Sequence, residues 1–262
     1  MQLVINERGA FISKKGNCFR VKRENKWVDI SATTIDSITV SESATITTDA
    51  IKLAMEHNID IFILDRYGYP IGRFWHAKFG STTLIRRCQL RAYDSDIGLE
   101  IARDMIIKKI DNQRRFLKNL KRARNNKTEE IQKTIDILKT VSHKLRSIKG
   151  NIEEKRQYIL GQEGYASRCY FETLGNLLPE PYKFKARSKQ PAKDPFNCFL
   201  NYAYGILYNR IEICLIIAGL DPYIGFLHTD NYNKPSLVYD MIEQFRYIAD
   251  RCVFFSFFET AD

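Results

Sequence analysis

The chain is 262 residues long, with 41 Lys and Arg against 31 Asp and Glu, a net charge of +10 and 44% hydrophobic residues. That length and apolar content suit one large or two ordinary globular domains with a real core. No apolar run approaches the ~20 residues needed to cross a bilayer, and the start "MQLVINERGAF" lacks a basic leader with a long apolar segment, so the expected location is the cytoplasm.

Residues 1–75 read as β. "LVIN", "AFISKKGNCFRVKR", "KWVDIS" and "TTIDSITVSE" are short β-branched runs broken by turn residues, with "KKGN" at 14–17 as a hairpin turn. "TTDAIKLAMEHN" departs from this. Ile51, Leu53, Ala54 and His57 recur at helical spacing behind Thr47 and Thr48, which are candidate caps. "IDIFILD" follows as a buried strand and "YGYPIG" as a turn. The reading is a small, mostly β domain with one helix, placed at residues 1–83.

From residue 84 the texture changes. Residues 84–178 contain no proline and are rich in Leu, Ile, Lys, Arg, Glu and Gln, the strong helix formers, which predicts several helices of about 20 residues. "RARNNKTEE" and "SIKGNIEEK" are the weak points between them. Prolines return in the loop 179–195. A long helix is expected from about Phe196 to Ala218, ended by Gly219 as a left-handed cap and by Asp221–Pro222. A last helix is expected from near Ser236 toward Phe258, with Leu237, Met241, Phe245, Ile248 and Cys252 as its buried stripe. Residues 84–262 thus form a larger helical domain, and the chain as a whole is α+β with two domains.

The positive charge is concentrated. Residues 101–160 hold 17 Lys and Arg against 7 Asp and Glu, an excess equal to that of the whole chain, and a second cluster runs from Lys183 to Lys193. The acids are too few to pair these cations along the helices, so a polyanion, DNA or RNA, is the expected partner. The six cysteines form no C-x-x-C pair and read as reduced, mostly buried small side chains. There is no glycine-rich phosphate loop, no G-x-S-x-G and no H-E-x-x-H, and His57, His76 and His143 have no partner pattern.

Against this basic background a few polar residues stand out. They are Glu163 in "GQEGYASRCYF", His228 in "AGLDPYIGFLH", and Asp240 and Glu243 in "SLVYDMIEQFR". Asp240 and Glu243 are three apart on a helix and leave it on one face, with Arg246 three residues further on. Each alone also fits an ordinary surface side chain. Together, carboxylates and one imidazole suit Mg²⁺ or Mn²⁺, the imidazole favouring manganese. Such a metal polarises a phosphodiester and neutralises charge as it develops on the phosphoryl group.

The blocks "EGYASRCYF", "RSKQPAKDPFNCFLNYAYGIL", "AGLDPYIGFLH" and "SLVYDMIEQFR" resemble signature segments of the CRISPR-associated endonuclease family Cas1, the integrase of spacer acquisition. "ISATTIDSITV", "IDIFILDRYGYPIGRF" and "LIRRCQL" extend the resemblance over nearly the whole chain. It implies a β-sandwich-like N-terminal domain, an all-α catalytic domain, and a homodimer that joins the small partner Cas2. It implies a metal-dependent DNA endonuclease and integrase acting on double-stranded DNA, both the prespacer and the CRISPR repeat. The 3′-OH of a captured fragment attacks the repeat by transesterification. The same resemblance makes Glu163, His228 and Glu243 the ligands of Mg²⁺ or Mn²⁺, and puts Asp240 at a further acidic position needed for activity. Arg187 and Lys193 match a basic loop that holds phosphate, and Arg246 is a third DNA-binding candidate. Family members usually continue well past the "DMIEQFR" helix, so either a short variant or a truncated C-terminus is implied. Two other readings compete: a non-catalytic DNA-binding scaffold that uses only the basic helices, and a nuclease of branched DNA that joins nothing.

Overall fold

The computed structural model describes residues 1–23, 26–74, 82–123, 128–229 and 234–259. His76 and the "NNK" of the expected helix link lie outside these residues. The chain divides into two compact units, Met1–Thr83 and Leu84–Asp262.

The first unit holds eight strands among its described residues: β1 Gln2–Ile5, β2 Ala10–Lys15, β3 Cys18–Arg23, β4 Lys26–Ser31, β5 Ser37–Val40, β6 Ala44–Ile46, β7 Asp60–Leu64 and β8 Pro70–Phe74. They form two four-stranded sheets, ordered β1-β5-β7-β8 and β4-β3-β2-β6. In the first sheet β1, β5 and β7 run parallel and β8 antiparallel. In the second, β2 and β3 make the expected hairpin around Gly16, whose φ of 58° is one that glycine adopts without strain. Ile5, Ile38 and Ile61 of one sheet share a single core with Ile12, Phe19 and Val21 of the other. Helix α1, Thr48–Glu56, adds Ala50, Leu53 and Ala54 to that core. It begins where Thr47 Oγ1 accepts from Ala50 N, 3.3 Å away. "YGYPIG" is only half a turn: Asp65 caps Tyr67 and Tyr69 at 2.8 Å, and Pro70 then opens β8. As an edge strand, β8 tolerates a proline without a donor.

The second unit is helical, with α2 Thr82–Tyr93 beginning at its boundary, then α3 Asp96–Arg122, α4 Thr128–Arg146, α5 Ile152–Leu177, α6 Pro195–Ile217, α7 Ser236–Glu243 and α8 Arg246–Glu259. One core, with Ile106, Leu117, Leu138, Tyr170, Leu200 and Phe254 among its members, joins helices α3 to α8. Caps fall where the chain supplies them: Asn151 accepts from Glu153 N and Asp194 from Asn197 N, each at 2.8 Å.

The expected single last helix is two helices. The chain turns at Gln244 and Phe245, where Phe245 N donates to Ile242 O. Gln244 O, released from the helical ladder, accepts from Asn112 Nδ2 of α3 at 2.9 Å. The break rotates the buried stripe, so Ala249, Val253, Phe254 and Phe257 face the core while Ile248 and Cys252 are exposed. The cysteines differ from expectation too. All six are free and none is buried, because Cys88, Cys198, Cys214 and Cys252 sit on outer helix faces. Among the described residues no helix is long and apolar enough to cross a membrane.

Candidate functional site

Helix α5 carries a buried stripe through Ile152, Arg156, Ile159, Ala166, Tyr170 and Leu174. Glu163 falls on the same line, between Ile159 and Ala166, so its carboxylate leaves the helix toward the interior. Ser167 Oγ donates to Glu163 Oε1 at 2.7 Å. Gly161 and Gly164 flank the acid, and a Cβ on either would meet nothing within 4 Å. Open space therefore lies beside the carboxylate.

His228 stands on the segment between α6 and α7. Gly219 ends α6 at φ 78°, as expected. Gly225 permits a close approach: a Cβ there would lie 2.6 Å from that of Ser236. The segment is then clamped on both sides of its peptides. Buried Asp240 accepts from the backbone N–H groups of Phe226, Leu227 and His228 at 2.5, 2.9 and 2.9 Å. Buried Arg156 donates Nε to Leu227 O at 3.0 Å and Nη2 to Phe226 O at 3.4 Å. Asp240 Oδ1 also lies 2.6 Å from His228 Nδ1, which leaves Nε2 as the ring nitrogen available to a ligand.

Glu243, at the end of α7, is buried between two cations. Arg246 Nε donates to its Oε1 at 2.9 Å, and the Lys109 ammonium pairs with its Oε2. The same ammonium donates to Glu163 Oε1 and so bridges the two carboxylates. Burial alone would raise the Glu243 pKa, but Lys109 and Arg246 outweigh it and hold the carboxyl down at about 2. For Lys109 the balance has the same form. Burial opposes the charge, while Glu243 and Glu163 more than offset it and hold the ammonium above the ordinary lysine value. Beneath the pair, the Arg246 guanidinium packs 4.5 Å from the Tyr204 ring centre. The hydroxyls of Tyr204 and Tyr170 donate to Asp250 at 2.5 and 3.1 Å, and burial lifts the Asp250 carboxyl to about 6.

These groups meet at one cavity of about 630 Å³. Its walls come from α3 (Lys109), α5 (Glu163, Ser167, Arg168, Glu172), the 179–194 loop (Lys185, Arg187, Lys189), the His228 segment and Glu243 with Arg246. Of the residues singled out in the sequence, Glu163, His228, Glu243, Arg187 and Arg246 line it, whereas Asp240 and Lys193 do not. Asp240 and Glu243 diverge: one carboxylate turns to the His228 segment and the other to the cavity, and neither forms part of an exposed acidic face. Arg187 spends its donors on Asn197 and Asn201, at 2.8 and 2.5 Å. Lys193 is exposed. The lining carries six cationic side chains against three carboxylates, so the cavity as a whole favours an anion.

The chain matches the family model described as CRISPR associated protein Cas1 over residues 3–259. It belongs to the Cas1 family. The CRISPR-associated endonuclease Cas1 1 of Archaeoglobus fulgidus is 33% identical over 266 residues, which cover 97% of this chain and 77% of that one. Among solved structures, this Cas1 chain is similar to a chain of a partial Cas6-RT-Cas1–Cas2 complex, with a TM-score of 0.77 and 27% identity over 99% of this chain and 76% of the other. It is also similar to a casposase bound to integration product, with a TM-score of 0.65 and 26% identity over 100% of this chain and 77% of that one. The two-domain α+β architecture is that of Cas1.

Several residues of this site escaped the sequence reading, namely Lys109, Arg156 and Asp250, whereas Lys189 falls within the basic cluster from Lys183 to Lys193. Two of them left a signal. On α3 the buried line Leu99, Ala102, Ile106, Ile110, Leu117 is interrupted by Lys109 and Gln113. On α5, Arg156 breaks an apolar stripe two turns before Glu163. A charge at a core position of an amphipathic helix is the residue to question first. The donor set suits a hard divalent cation in its chemistry. Glu243 Oε2 is buried with the Lys109 ammonium as its partner, so the oxygen that a metal would use already faces a cation. As the side chains stand, however, no three His, Cys, Asp or Glu groups among the described residues are close enough to hold a metal.

Proposed function

We propose that the protein is a divalent-metal-dependent DNA endonuclease and integrase of CRISPR adaptation. The observation that carries this reading is the convergence of Glu163, His228 and Glu243, 80 positions apart in sequence, on one cation-walled cavity. These three side chains would hold Mg²⁺ or Mn²⁺. When bound, the metal supplies Lewis-acid polarisation of a phosphodiester and charge stabilisation on the phosphoryl group.

The chain's own residues do the rest. Asp240 fixes the imidazole through Nδ1 and, with Arg156, the backbone that carries it. Ser167 holds the Glu163 carboxylate in one orientation. Arg168, Lys185 and Lys189 hold the DNA backbone, which positions the strand without reading its sequence. Burial and the neighbouring Arg246 lower the Lys189 pKa, a cost that a phosphate placed beside this ammonium would offset. The 3′-OH of a captured fragment attacks a phosphodiester of the CRISPR repeat. One P–O bond forms and one breaks, the proton leaves the attacking hydroxyl, and the displaced 3′-oxygen takes one up. The working form is a homodimer that assembles with Cas2 on prespacer and repeat DNA.

The test is a strand-transfer assay with a labelled duplex bearing free 3′-OH ends, a repeat-containing target and Mn²⁺. Wild-type protein joins the two. Glu163→Gln, Glu243→Gln and His228→Ala each lower joining by at least about 100-fold, and chelator abolishes it. Salt-sensitive, metal-independent binding with no cleavage or joining would leave the non-catalytic scaffold as the function. Cleavage of branched DNA with no joined product would leave the branched-DNA nuclease.

A further inference from the structure

Lys109 reaches the centre of the site from α3. Its ammonium is buried and pairs with Glu163 on α5 and with Glu243 at the end of α7. Those are the two carboxylates that the proposed function gives to a divalent metal. Oxygen ligands sit about 2–2.6 Å from such a metal. A cation bridging both carboxylates would therefore share its position with the ammonium. Two positive charges at one point inside a low-dielectric site cannot both stay.

We propose that Lys109 is the resident cation of this site: its ammonium bridges Glu163 and Glu243 when no metal is bound, and a divalent metal enters by displacing it from that bridge. The inference rests on the reading that these carboxylates hold a metal. The fold supplies a reason for the device. Two carboxylates brought together here with no cation between them would repel, even with Ser167 on Glu163 and Arg246 on Glu243. With Lys109 between them, α3, α5 and the end of α7 are held together while the site waits. Lys109 also has somewhere to go, because it lines the same cavity as the wall cations and its flexible stem can carry the ammonium into that space. Displaced there, the charge joins Arg168 and Lys189 at the place assigned to a phosphate.

The experiment is Mn²⁺ titration of the full-length protein, followed by calorimetry and by the electron paramagnetic resonance of free Mn²⁺. It compares wild type, Lys109→Met and Lys185→Met, the last removing one charge from the cavity wall. Lys109→Met should bind Mn²⁺ about tenfold or more tighter than wild type, with Lys185→Met within about twofold. Without metal, Lys109→Met should melt below wild type, and Mn²⁺ should raise its Tm by more than it raises that of wild type. If Lys109→Met does not fold, a crystal of the wild type soaked in Mn²⁺ decides: the metal should lie between Glu163 and Glu243 with Lys109 Nζ moved off both. Equal or weaker binding by Lys109→Met overturns the inference, as does equal tightening in Lys185→Met. So does a metal bound while Nζ still touches both carboxylates, and in these cases the metal-dependent function stands. Absence of Mn²⁺ binding in every form removes the metal reading, and this inference with it.

Discussion

Among the described residues, the buried polar side chains of the first unit are Ser37 and Thr39, both neutral, whereas the second unit buries Lys109, Arg156, Asp240, Glu243 and Asp250. The first unit builds its core from Ile, Phe, Val and Ala shared by two sheets and one helix, and among its described residues no charged side chain is fully buried, the Arg73–Asp60 pair being half-buried. In the second, an equally apolar core is interrupted at one place by charges that satisfy one another. Ionised groups cost several kcal/mol each to bury, and well-packed apolar residues of the same size would often serve stability better. A fold that concentrates this cost beside one cavity marks where chemistry, rather than stability, has set the residues. Among its described residues the first unit has no such place.

The largest effect that would sharpen this contrast is expected at Asp240. Its carboxylate satisfies three backbone N–H groups and the His228 ring. Asp240→Ala strands those donors in a buried place and should cost about 3–5 kcal/mol, measured as the loss in the denaturation transition of the second unit. Joining activity should fall with it, because the segment carrying His228 loses half of its clamp. If Asp240→Ala unfolds at the wild-type denaturant concentration, the buried charges are not structural keystones and the contrast fails.

A smaller effect, with a sign that separates it from ordinary packing, comes from Asp250. The groups facing it are Tyr170, Tyr204, Arg246 and Lys109. Folding lifts its pKa from about 3.9 to about 6, chiefly by burial. The native state therefore holds the proton more tightly than the unfolded chain. The stability this contributes is full below about pH 4 and is lost as pH rises through about 6. Glu243 behaves oppositely. Its carboxyl is held at about 2, so its contribution is present above about pH 4.3 and lost as pH falls through about 2. Between pH 4.5 and 7, then, Glu243 is constant and Asp250 titrates. Urea denaturation across that window should show wild type losing up to about 2 kcal/mol relative to Asp250→Asn. Parallel curves for the two proteins would mean that Asp250 is ionised throughout.

How much of this was legible in the sequence depends on what each residue competes with. The helices of the second unit were legible because no proline interrupts residues 84–178, and the strands of the first because β-branched runs alternate with turn residues. Gly219 was legible because a left-handed cap has few other candidates. The break at Gln244 was not, since neither glycine nor proline marks it. It exists because Asn112, more than a hundred positions away, donates its side-chain N–H to the released carbonyl. The site divides in the same way. Glu163, His228 and Glu243 were legible as chemistry-bearing residues in family-like segments. Asp240 was legible as a member of the group, but its part in shaping the His228 segment lies in backbone hydrogen bonds that no spacing reveals. Lys109 left only a faint signal, as a charge interrupting the buried line of α3, because it stands in a stretch holding 17 Lys and Arg.

The smallest expected effect lies in the first unit, and it tests the contrast from the other side. Thr39 is buried on β5, and its hydroxyl accepts from Gln2 Nε2 at 2.8 Å. Both partners are neutral, and Gln2 is only half-buried, so its amide can turn to water when the hydroxyl is removed. Valine keeps the shape and suits a strand at least as well as threonine. Thr39→Val should therefore change stability by no more than about 1 kcal/mol, with the same difference at pH 4.5 and pH 7 because nothing at the site titrates. Denaturation of Thr39→Val beside Asp250→Asn places the two kinds of buried polar group side by side. A loss near that of Asp240→Ala, or one that grows with pH, would mean that the first unit also hides a charged network. In that case the concentration of buried charge around the cavity would no longer single out the second unit as the seat of the chemistry.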